Sequence, residues 1–182
     1  MAATPRLITN REFRTSRYGQ LADQLEGDLD EIIAQAETLI ERHLDRTLSS
    51  TTYTEIHRPK LDRLFLKERP IISVTSIERR LTNDAAWSAL TVADFEVEPN
   101  GAAGVLLSLD DEIAGYEVRV VYLAGYSTIP WDIKSAVLQL TAYLCYQDFE
   151  TFGQGDSKPP GITYLKSEAY KRVEPYKKVR VF

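Results

Sequence analysis

Apolar residues at 29, 32, 33, 36, 39, 40 and 44 (Leu29, Ile32, Ile33, Ala36, Leu39, Ile40, Leu44) repeat at the spacing of one helical face. Asp28 precedes them as an N-cap with Glu31 three residues on. Arg42, His43 and Arg46 gather at the far end, where cations suit the helix dipole. The pattern predicts a helix over 29–47. Upstream, Thr9-Asn10-Arg11-Glu12 has capping-box spacing and predicts a short helix, and Gly27 separates the two. From Ser49-Ser50-Thr51-Thr52 to Tyr126 the chain changes to short runs of β-branched and aromatic residues. Strands are expected at Thr52–His57, Arg63–Lys67, Ser73–Arg79, Asp94–Glu98 and Val105–Leu109. In the last run Tyr116, Val118, Val120 and Tyr122 alternate with Glu117 and Arg119. The short spacings predict hairpins in a small antiparallel sheet.

Pro130 then opens a second long helix over 130–149, with Ile133, Ala136, Val137, Leu140, Leu144 and Cys145 as its stripe. Leu138, Tyr143 and Tyr146 widen that stripe, so apolar neighbours are expected on two sides. Residues 153–161 (Gly-Gln-Gly-Asp-Ser-Lys-Pro-Pro-Gly) read as a linker, 162–174 as a short helix stopped by Pro175, and Tyr176–Phe182 as a strand-like tail. The expected fold is α+β: a small helical bundle with an inserted antiparallel β-sheet and a C-terminal helix plus extended tail. Residues 1–151 form the main domain and 152–182 the linker, short helix and docking tail.

Composition narrows the functional classes. The 182 residues carry 22 Lys and Arg against 27 Asp and Glu, a net charge of −5, which is the wrong sign for a free-standing nucleic-acid binder. From 163 on the balance reverses, with six basic residues against two acidic. Cys145 is the sole cysteine, so no intrachain disulfide and no Cys/His zinc site with His43 and His57 is expected. No apolar run approaches the roughly 20 residues of a membrane helix, and no signal-like stretch follows Met1–Arg6. A soluble protein of a reducing compartment is expected.

No catalytic constellation emerges. Residues 153–158 lack the spacing of a phosphate loop and run into two prolines. Asp110-Asp111-Glu112 lacks the alternating oxygens of a calcium loop and reads as a turn. The acidic run Asp23, Glu26, Asp28, Asp30 and Glu31 reads as a solvated helix start, Cys145 as a buried small residue, and His43 as a helix-end residue. Trp131 reads as a packing anchor, with subunit contact as the second reading. No enzyme activity, cofactor or metal is expected.

Two segments carry a resemblance. Leu66-Lys67-Glu68-Arg69-Pro70-Ile71-Ile72-Ser73-Val74-Thr75-Ser76-Ile77 resembles the L-x-x-x-P-[IV]-x-S-V-x-S-[IV] segment of tailed-phage head–tail connector (adaptor) proteins. Val120 to Lys134 is similar to that family's second signature, V-x-Y-x-A-G-Y-x-x-[IVL]-P-x-D-[IL]-K, and Glu174–Arg180 to its closing x-P-Y-[RK] segment. The resemblance implies a structural virion protein at the head–tail interface, assembled in the host cytoplasm. It implies a ring, of twelve identical subunits to match the portal, that extends the DNA channel and joins capsid to tail. The implied partners are the portal protein, a tail-side stopper or tail-completion protein, and genomic DNA passing without sequence-specific binding. With the linker, the alternation and the charge, it makes Tyr176, Lys177, Lys178, Val179, Arg180, Val181 and Phe182 the expected docking segment, with 163–182 leaving the domain core. Trp131 and Tyr126 are the expected subunit contacts. The alternatives are another head- or tail-completion protein of stopper type, or a DNA-binding protein using the basic tail.

Overall fold

In a computed structural model of the chain, which describes residues 6–25, 27–81, 85–97, 105–109, 113–151 and 162–177, the stripe at 29–44 lies on a buried helix face. The chain divides into two compact units, one from Met1–Ser49 with Thr128–Phe182 and one from Ser50–Ser127. The first is helical and the second is built of strands, so the insertion of a sheet between helical segments is as expected.

The helical unit contains α1 (Asn10–Thr15), α2 (Leu29–Leu44), α3 (Trp131–Thr151) and α4 (Ile162–Val173) among the described residues. The capping box at Thr9 and Glu12 starts α1, and the Asp28 side chain accepts from the Asp30 amide at the start of α2. Three residues separate the end of α2 from the expected 47. Asp45 turns into the left-handed region (φ 56°) and its amide donates back to the Arg42 carbonyl, which closes the helix. Pro130 lies just outside α3, where its carbonyl accepts from the Lys134 amide; it caps the helix instead of filling its first position.

α3 packs on both α2 and α4. Residues 136–142 are buried without a break, which is the burial of a helix covered on every side. The expectation that 163–182 leaves the core does not hold for α4. Ala169 and Val173 of α4 are fully buried in the helical unit. Their i, i+4 spacing presents one apolar stripe, and burying it stabilises more than exposing it would.

The strand unit holds β1 (Thr51–His57), β2 (Arg63–Phe65), β3 (Ile71–Arg80), β4 (Ser88–Leu90), β5 (Phe95–Val97), β6 (Val105–Ser108) and β7 (Glu117–Ala124) among the described residues. They form a four-stranded sheet in the order β1-β7-β3-β4 and a three-stranded sheet β2-β6-β5, antiparallel throughout. One hairpin sheet was expected; instead β7 inserts between β1 and β3, and only β3-β4 and β5-β6 join sequence neighbours. The alternation of β7 explains its central place. Val118, Val120, Tyr122 and Ala124 point into the core, so this strand gains most from pairing on both edges. The core joins them to Ile77 of β3, Leu64 and Leu66 at β2, and Leu106 of β6.

Candidate assembly surfaces

The residues singled out for docking begin at a clamped root. Tyr176 closes a 3-10 turn, Glu174–Tyr176, that follows α4. Its carbonyl accepts from Arg46 Nη1 at 3.3 Å, and its hydroxyl lies 3.5 Å from Asp132 Oδ2. Lys177 Nζ stands 3.3 Å from Glu174, whose other oxygen lies 3.0 Å from His43 Nε2. These partners, His43 first and Lys177 second, hold the Glu174 carboxyl below its ordinary pKa. Tyr176 and Lys177 are therefore fastened to the helical unit's own residues. Lys178, Val179, Arg180, Val181 and Phe182 lie outside the described residues, as do 153–158 and Asp110–Glu112.

Trp131 is 70% exposed at the start of α3, so it is no packing anchor. Tyr126 is half-buried just beyond β7. Nearby on α3, Lys134 reaches Glu12 Oε1 at 2.6 Å, which ties the helix to the N-terminal capping box and lowers the Glu12 pKa. Cys145 is buried, as the sequence indicated.

Sequence reasoning missed a surface on the strand unit. A groove of about 700 Å³ is lined by His57 to Phe65, the connection from β1 into β2. Leu61 and Phe65 are exposed on it. The signal lay in the interleaving of basic and apolar residues in His57-Arg58-Pro59-Lys60-Leu61-Asp62-Arg63-Leu64-Phe65. A polar network fixes this connection to the sheet. The Glu55 carboxylate accepts from the Tyr122 hydroxyl and from the Lys67 amide at 3.1 Å, and pairs with His57 Nε2 at 2.8 Å. Tyr122 in turn accepts from the Glu68 amide at 3.1 Å.

On the same unit, cross-strand neighbours Glu78 and Arg119 pair, as do Arg80 and Glu117 at 2.6 Å. Arg80 and Arg119 both lie over the Trp87 ring, at 4.3 and 4.5 Å from its centre. These four charges neutralise one another. Among the described residues no three or more His, Cys, Asp or Glu side chains converge as metal ligands would, and no helix is long and apolar enough to cross a membrane.

Residues 6–179 match the sequence profile of one family, the head completion proteins. The chain belongs to that family. Its two connector-like segments, at 66–77 and 120–134, both fall inside the matched span. None of the curated proteins matches the chain. Among solved structures it is similar to a chain of the neck of an empty gene transfer agent (GTA) particle computed with sixfold symmetry. That match has 21% identity and a TM-score of 0.62, over 100% of this chain and 95% of that one. A chain from the neck of a native GTA particle computed with twelvefold symmetry gives 20% identity and 0.58, with the same coverage. A chain of the native GTA virion gives 19% and 0.57. At this identity the likeness speaks for the fold, which the head completion family member shares along its whole length.

Proposed function

We propose that the protein is a structural component of a phage-type particle neck. Twelve identical copies form a ring below the portal, extend the DNA channel, and join the filled head to a tail-side completion protein. The family match over 6–179 carries this reading. The whole-chain likeness to proteins from necks, one computed with twelvefold symmetry, supports the ring. The net charge of −5 suits a channel wall that DNA must slide past, because it does not hold phosphates. In the ring, Trp131 and Tyr126 contact the neighbouring subunit, and the tail that begins at the clamped Tyr176 and Lys177 reaches the portal or the next copy through Lys178–Phe182. Each subunit then buries more than the roughly 1,600 Å² of a standard interface.

Mixing the protein with the portal of the same particle and imaging by cryo-electron microscopy tests this. A second ring stacked coaxially on the portal is the expected result. Portal rings that stay bare at saturating protein sink the reading.

A further inference from the structure

A closed ring repeats one head-to-tail contact, so each subunit must present two different, complementary surfaces. Two surfaces of the chain carry opposite charge. The groove at 57–65 opens on Lys60, Leu61, Arg63 and Phe65, all exposed. Residues 57–69 carry five Lys and Arg against two Asp and Glu, a local +3 in a chain of −5. A second, polar cleft of about 340 Å³ lies at the start of α2, lined in part by Asp28, Glu31 and Gln35 with Leu144. The sequence from 23 to 31 carries five acids and no base.

We infer that the groove at 57–65 seats the acidic start of α2 from a neighbouring copy, and that this contact closes the ring. The inference rests on the ring proposed above. Charge complementarity selects the occupant: the basic connection meets the most acidic stretch of the same chain. Leu61 and Phe65, 68% and 51% exposed, select protein over nucleic acid, since phosphate contacts need cations but no apolar side chains. The seat is also pre-shaped, because Glu55 holds His57 at its near end and, with Tyr122, the Lys67 and Glu68 amides beyond its far end before any partner arrives.

A charge swap tests it. Lys60→Glu with Arg63→Glu, and separately Glu31→Lys with Gln35→Lys, should each leave the thermal melt of the free protein unchanged. Each should raise the concentration for half-maximal ring formation on the portal by roughly tenfold or more. The four changes together restore the complementarity and should recover assembly. Leu61→Ser with Phe65→Ser, which alters no charge, should weaken assembly similarly. Normal assembly by any of these double variants overturns the inference, as does failure of the quadruple variant with its melt intact. Normal assembly with lost DNA binding points to nucleic acid at the groove and also overturns it. A wild-type protein that forms no ring sinks the ring itself, and so is told apart from these outcomes.

Discussion

Glu55 shows how one carboxylate organises a surface. Burial pushes its pKa up, but hydrogen bonds with His57, Tyr122 and Lys67 pull harder, so the net shift is downward. An ionised carboxylate only accepts, so His57 Nε2 carries the proton between them. The Tyr122 phenol moves the other way: burial and the facing Glu55 push its pKa up and keep it a donor. Tyr122→Phe removes a donor to Glu55 and an acceptor for the Glu68 amide, and should destabilise the strand unit by about 1–3 kcal/mol. Urea unfolding reports it through Trp87 fluorescence in a Trp131→Phe background, since these are the two tryptophans and each unit has one. A carboxyl whose pKa is lowered on folding stabilises above its unfolded value and loses that contribution as pH falls through the folded one. The gap between wild type and Tyr122→Phe should therefore narrow below the ordinary carboxyl value of 4.5, leaving the part due to the Glu68 amide. None of this was legible in the sequence, where Glu55 is one polar position in a strand and Tyr122, 67 residues away, reads only as apolar core.

Among elements, helices were legible and strand partners were not. A helix satisfies its backbone locally, so the stripe at 29–44, the Thr9 capping box, the Asp28 N-cap and the 162–173 face all appear in the sequence as spacing. Strand alternation fixes which side chains face the core, not which strand lies alongside, and so β7 was read correctly in its faces and wrongly in its neighbours. β4 was missed because Ser88-Ala89-Leu90 has little β-propensity; its pairing with β3 makes it a strand. Two elements carry predictions. A Cβ at Gly19 would stand 2.0 Å from the Arg14 carbonyl oxygen, which is backbone and cannot step aside. Gly19→Ala should cost about 1–3 kcal/mol in the helical unit, measured by thermal unfolding of the purified variant. Deleting 152–182 removes α4 with its buried Ala169 and Val173 and uncovers part of α3. That truncation should lower the helical unit's stability by on the order of several kcal/mol, visible as a lost or broadened far-ultraviolet melt. A truncated protein that melts like the full chain would show α4 to be a passenger.

At the scale of the whole molecule, the family was legible because its two signatures are contiguous stretches of sequence, one within the strand unit at 66–77 and one at 120–134 that runs from β7 into α3, and both fall inside the matched span. The assembly surfaces were less so. Exposure decides them, and the sequence does not show that Trp131 stands out or that the root of the tail is held down. That root sharpens the docking proposal. Tyr176 and Lys177 are fixed by Arg46 and Glu174, so any segment that reaches a portal or a neighbour starts after them. Deleting 178–182 should therefore leave the melt unchanged, because every buried residue of α4 and the Arg46–Tyr176 contact remain. It removes two cations, Lys178 and Arg180, the two apolar side chains Val179 and Val181 that alternate with them as an added strand requires, and the terminal Phe182. Portal binding by the truncated protein should fall by about tenfold or more, with the remaining affinity less sensitive to salt because two charges have gone. Native mass spectrometry of portal mixtures across a salt series measures both. Unchanged binding and unchanged salt dependence would place the portal contact elsewhere on the chain, and a lowered melt would make 178–182 part of the helical unit itself.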